Sequence, residues 1–60
     1  MINTVAEFVK AAKKLDTDAI YDLFEDNTSD AVRDEIYSLA DPDSSEPMRD
    51  AMIKLGFTDF

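Results

Sequence analysis

An all-α fold, a small bundle of three to four short helices in a single domain spanning residues 1–60, is what this sequence predicts. Three observations carry that prediction. Apolar residues recur at three- and four-residue spacing in four separate stretches, the period of a helix with one buried face. Residues that cap helices stand ahead of those stretches. The chain also holds one Gly and two Pro, too few for the tight turns of an all-β fold. A domain this small buries only about 60% of the surface its unfolded chain exposes. Its apolar content of 45%, with two Tyr and four Phe, still supplies a core and argues against disorder.

Each helix has its own local logic. Thr4, Val5, Ala6 and Glu7 have the form of a capping box, with Thr4 as N-cap and Glu7 reaching back. Val5, Phe8, Val9, Ala12 and Leu15 then make one apolar stripe, which predicts a first helix over about 4–15. Lys13 and Lys14 complement the negative end of its dipole. Asp16 or Thr17 caps a second helix over about 17–26, with Ala19, Ile20, Leu23 and Phe24 as a narrow stripe. Asp18 suits its positive end, whereas Glu25 and Asp26 oppose the dipole at the other. That helix depends on its tertiary surroundings.

The cluster Asn27, Thr28, Ser29 and Asp30 combines turn and N-cap residues. A third helix is predicted over about 29–40, with Val32, Ile36, Leu39 and Ala40 facing inward and Arg33 within reach of Asp30 or Tyr37. It stops at Asp41 because the residue before a proline avoids the α region. Residues 41–47 form the one clear loop. Ser44, Ser45 or Glu46 caps a fourth helix, Pro47 lies in its first turn, and Met48, Ala51, Met52 and Leu55 form its stripe. Gly56 stands where a C′ glycine belongs, with Phe57 folding back toward Met52, and Thr58, Asp59 and Phe60 make a short tail. The expected core is Val5, Phe8, Val9, Ala12, Leu15, Ile20, Leu23, Phe24, Val32, Ile36, Leu39, Met48, Met52 and Leu55. Tyr21, Tyr37, Ile53, Phe57 and Phe60 are left for the rim, a surplus that can feed a homodimer interface.

Composition narrows the chemistry. The chain has neither Cys nor His, which removes disulfides, thiolate metal sites and the commonest neutral-pH base. No apolar run approaches the roughly 20 residues of a membrane span, and the first residues lack a signal-peptide pattern, so a cytoplasmic location is expected. No nucleophile motif or phosphate loop is present. Asp41, Asp43 and Ser45 open like a calcium loop, but Glu46 replaces the turn glycine and Met52 the final ligand. Catalytic residues, metal ligands and cofactors are therefore all expected to be absent, and the protein is read as a non-enzyme.

Charge is the remaining signal. Residues 1–15 hold three Lys against Glu7, net +2, while residues 16–60 hold thirteen acids against Arg33, Arg49 and Lys54, net −10. Between Asp16 and Val32 six acids occur without one base. Asp18, Asp22, Glu25 and Asp26 share one helical face, where like charges cost roughly 0.2–0.5 kcal/mol per pair. Asp30 and Asp34 continue the series, and Asp41, Asp43, Glu46 and Asp50 carry it on. A solubilising face, or adaptation to high salt, explains this plainly. The alternative is a surface built to occupy a basic protein site by imitating the phosphates of a nucleic acid. An acidic field attracts basic surfaces and repels nucleic acid and anionic membranes, so neither of the latter is an expected partner. The residues that carry the binding reading are Asp18, Asp22, Glu25, Asp26, Asp30 and Asp34, with Tyr21 and Tyr37 as anchors.

In size and charge the chain resembles the small acidic inhibitor proteins that bacteriophages and mobile elements use against host DNA-binding or defence enzymes. The resemblance implies an inhibitor or DNA mimic and assigns no individual residue. A second reading, from a different class, is a structural or assembly subunit or a homodimeric adaptor that docks through Met48, Met52, Phe57 and Phe60.

Overall fold

Four α-helices follow one another in the computed structural model, which describes residues 1–58 and 60: α1 (Val5–Ala12), α2 (Thr17–Asn27), α3 (Asp30–Tyr37) and α4 (Pro47–Lys54). Asp59 of the expected tail lies outside the described residues. Among those residues there is no strand, only an isolated parallel bridge between Ile2 and Thr28. The protein is an all-α bundle in which α1 packs on α2 and α3, and α3 packs on α4. Its radius of gyration, 10.5 Å, matches the roughly 10.4 Å of a close-packed chain of this length.

Three helices start on a side-chain cap. The Thr4 hydroxyl accepts from the Glu7 amide at 3.1 Å and donates to the Glu7 carboxylate, so Glu7 reaches back to the hydroxyl instead of the backbone amide of a full capping box. Asp16 accepts from the Ala19 amide at 2.8 Å, and Ser29 from that of Val32 at 3.3 Å. For α4 the cap position is Glu46, with no side-chain cap bond and Pro47 opening the helix. Proline suits that place because the amide it lacks would have no intrahelical partner.

Two helices are shorter than their apolar patterns predict, and the difference exposes two expected core residues. α1 ends at Ala12 and α3 at Tyr37. Beyond them the chain tightens into three-residue turns, Leu15 N–H to Ala12 C=O, Leu39 N–H to Ile36 C=O and Ala40 N–H to Tyr37 C=O, each at 3.0–3.1 Å. Asp16 must be extended to cap α2, and Asp41 precedes a proline, so neither helix can run on. Leu15 and Leu39 are each 39% exposed, contrary to the sequence expectation, because the helical register that would turn them inward has ended.

The buried core is Phe8, Ala12, Ile20, Phe24, Val32, Ile36, Ala51 and Met52, with Thr28 as its one buried polar residue among those described. Val5, Val9, Leu23, Met48 and Leu55 pack around it half-buried, joined by Ile2, Ala40, Phe57 and Phe60. Phe8 meets the edge of Phe24 at 5.9 Å, and Phe24 meets Tyr37 at 5.2 Å, geometry that aromatic quadrupoles favour. Tyr21, Phe60 and Phe57 form a second aromatic run at the tail, with centroids 5.6 and 6.2 Å apart. Phe57 and Phe60 therefore pack on the core and are half-buried.

The C-terminus of α2 is where the fold closes. No basic residue lies in its last turn, and the last four carbonyls of a helix have no intrahelical donor. Three of the four are satisfied from outside the helix. The Thr28 hydroxyl donates to Phe24, Arg33 Nη1 to Glu25 at 3.1 Å, and the Ile2 amide to Asn27 at 2.7 Å. Ser29 N–H returns a bond to the Ile2 carbonyl at 3.0 Å. The chain's start, α2 and α3 are thus tied together at one point. α4 ends differently, in a glycine turn. Phe57 N–H bonds the Met52 carbonyl and Gly56 N–H that of Ile53, with Gly56 at φ 105°, the two bonds of a Schellman motif.

Two stability predictions follow from these ends. Arg33→Ala leaves the Glu25 carbonyl without its charged donor and should lower unfolding stability by about 1–2 kcal/mol. Arg33→Lys should recover less than half of that, since an ammonium cannot span two acceptors as a guanidinium fork does; urea titrations of the three proteins check it. A Cβ on Gly56 would meet nothing within 4 Å, so Gly56→Ala should cost only the backbone strain, about 1 kcal/mol, measurable as a lower melting temperature with an unchanged spectrum.

Candidate acidic interaction surface

Successive side chains on an α-helix are about 100° apart, which orders the faces of α2. Ile20 and Phe24 point into the core. Moving around the helix from them, Thr17 and Tyr21 come next, then Glu25, Asp18, Asp22 and Asp26. The four acids are exposed and extend about 12 Å along the axis. None of their carboxylates has an ion-pair partner among the described residues. Lys10 of the packed neighbour α1, and Lys13 and Lys14 of the turn that follows it, pair with no acid there either.

On α3 the predicted residues divide. Asp30 is joined to Arg33 Nη2, while Nη1 of the same group donates to the Glu25 carbonyl, so this guanidinium brings Asp30 beside the C-terminal end of α2. Asp30 is 92% exposed in its side chain, where an ion pair contributes little; Arg33 acts chiefly through the carbonyl. Asp34, one turn on, is exposed and has no ion-pair partner among the described residues, and Glu35, outside the predicted set, is exposed as well. Tyr37 is 42% exposed with its ring packed on Phe24. Tyr21 is half-buried against Phe60 at the edge of the α2 acids.

The acidic series does not run evenly through the loop and α4. Lys54 Nζ lies 3.3 Å from both Asp41 Oδ1 and Asp50 Oδ2, and the Asp41 amide donates to Asp50 at 2.7 Å. These two acids latch the α3–α4 loop onto α4. Asp16 is spent as a cap, while Asp43 and Glu46 remain exposed. Among the described residues no three acidic side chains converge closely enough to hold a metal ion. No helix there is long and apolar enough to cross a membrane. Of the residues expected to serve apolar docking, Met52 is fully buried. The i, i+4 spacing of Asp50 and Lys54 was legible in the sequence, whereas the engagement of Asp41 and the Arg33–Glu25 bond depend on contacts distant along the chain. Comparison with protein families, curated proteins and solved structures finds no match to this chain.

The latch has a defined titration. The Asp41 amide, and after it Lys54, holds the Asp50 carboxyl below its ordinary value of 3.8 against partial desolvation. For Lys54, partial desolvation pulls the ammonium down, but its hydrogen bonds and charge pairing with Asp41 and Asp50 outweigh that and leave it above 10.5. The contribution of Asp50 is thus present above 3.8 and lost as pH falls through its lower folded value; that of Lys54 is present below 10.5 and lost as pH rises through its higher one. A carboxyl-carbon NMR titration should find the Asp50 midpoint below 3.8. In Lys54→Met the midpoint should rise yet stay depressed, because the backbone amide is the larger cause.

Proposed function

We propose that this protein is a non-enzymatic acidic binding protein that occupies the basic site of a nucleic-acid-binding or defence protein, acting as an inhibitor or nucleic-acid mimic. The contact surface is the α2 face of Asp18, Asp22, Glu25 and Asp26, with Tyr21 at its edge and Asp30, Asp34 and Tyr37 of α3 extending it. The observation that carries the reading is that these α2 carboxylates stay unpaired among the described residues, although α1 and the turn between it and α2 bear Lys10, Lys13 and Lys14. A row of fixed, exposed anions on a rigid helix offers Lys and Arg groups what a phosphate backbone offers them. It also steers basic partners toward itself over several ångströms of solvent.

Such a surface works by charge, which fixes its signature. Binding to a basic nucleic-acid-binding protein should compete with DNA and weaken at least tenfold between about 50 and 200 mM salt. The double variant Asp22→Lys with Glu25→Lys should abolish it, while circular dichroism shows the fold retained, since both side chains are exposed. Equilibrium titrations against a set of DNA-binding proteins, with and without competing duplex, measure all three effects. Affinity that is insensitive to salt and unchanged in the double variant sinks the mimic reading.

A further inference from the structure

A shallow trough of about 390 Å3 is lined by Ile2, Glu7, Lys10, Ala11 and Lys14, and its surface is mainly apolar. Ile2 is fixed there by its backbone bonds to Asn27 and Ser29. The Glu7 carboxylate accepts from the Thr4 hydroxyl at 3.2 Å. Neither lysine has an ion-pair partner among the described residues. An apolar surface with two open ammonium groups calls for an apolar side chain flanked by carboxylates.

The α2 helix of this same chain presents that combination. Asp22 and Asp26 are exposed and lie about 6 Å apart along the helix axis. They are four residues apart, as Lys10 and Lys14 are, and Leu23 follows Asp22 as Ala11 follows Lys10. Around α2, in the sense away from Tyr21, Ala19 and Leu23 come after Asp26, and both are half-buried. The two sets match in sign and in sequence spacing. Within one chain α1 packs on α2, yet these charges form no ion pair. The pairing left unmade inside a chain is open between two. Net charge opposes self-association, at −8 per copy. That repulsion is screened beyond a Debye length of about 8 Å at physiological salt, and each copy measures 29 × 24 × 17 Å. Ion pairs in contact lie well inside that length and survive the screening.

We infer that the trough receives the Asp22, Leu23 and Asp26 side of α2 from a second copy of this chain, with Lys10 and Lys14 pairing the two carboxylates. Two exposed ion pairs around one small apolar contact make a weak interface, so association is expected near about 1 mM protein. Sedimentation equilibrium of the full chain should then give a mass that rises with concentration above the 6.8 kDa monomer. Amide NMR over the same range should show shifts at Ile2, Ala11 and Leu23. Two charge-reversed variants, Lys10→Glu with Lys14→Glu and Asp22→Lys with Asp26→Lys, alter only exposed side chains, and circular dichroism checks that each folds. Each alone should lose the association, and their mixture should regain it, at least tenfold tighter than either variant by itself. Their net charges, −8 − 4 = −12 and −8 + 4 = −4, have the same sign, so recovery reports local pairing. A chain that stays monomeric at 1 mM, or a mixture no tighter than its components, overturns the inference. The contact shares Asp22 and Asp26 with the face proposed for a basic partner, so the two compete. A monomeric chain that still binds such a partner would sink this inference alone.

Discussion

Closure of the C-terminus of α2 is the constraint on which the rest of this small protein depends. A helix ending in Glu25, Asp26 and Asn27, with no base in its last turn, has its dipole and its side chains opposed. Alone it would fray. The fold supplies three donors from three places: a hydroxyl one residue past the helix, a guanidinium from α3 and an amide from the chain's start. Each donor also orders the element it comes from, so uncapping α2 would loosen the N-terminal segment and α3 together. In a domain with eight buried apolar residues, a junction of this kind matters more than it would in a larger one.

The same junction sets the electrostatic character of the surface. Arg33 is spent on the Glu25 carbonyl and Asp30, and Lys54 on Asp41 and Asp50. Two of the three basic residues in the acidic part of the chain are thereby committed to holding structure. Lys10, Lys13 and Lys14 form no ion pair with the α2 carboxylates, and so the charge of −8 is concentrated instead of averaged. A helix that repels itself is held in place by contacts at its two ends and along its apolar face, and its acidic face is left open. This division of labour is what makes a binding role for that face physically reasonable.

Much of the fold was legible in the chain. The four helices, the Thr4 cap, the Pro47 start and the Gly56 end follow from rules that act within a few residues, whereas the choice of Asp16 over Thr17, and of Ser29 within the cluster 27–30, came from the structure. Seven of the fourteen expected core residues, Phe8, Ala12, Ile20, Phe24, Val32, Ile36 and Met52, are buried, while Leu15 and Leu39 are exposed. Periodicity marks a helix face and does not reveal where the helix stops following it, which is why Leu15 and Leu39 lie outside the core. Ala51 belonged to the expected stripe of α4, and it is buried because a small residue lets α3 and α4 approach.

The sequence by itself determined the helices and a face of α2 rich in acids, since these depend on neighbours three or four positions away. Tertiary structure alone decided which charges are spent and which are free. It turned Asp41 and Asp50 into a latch, aimed Arg33 at a carbonyl eight residues back, bound Ile2 to Asn27, and drew Phe57 and Phe60 onto the core beside a groove. The physical reason is distance along the chain: such contacts form only once the packed helices bring their partners within hydrogen-bonding reach.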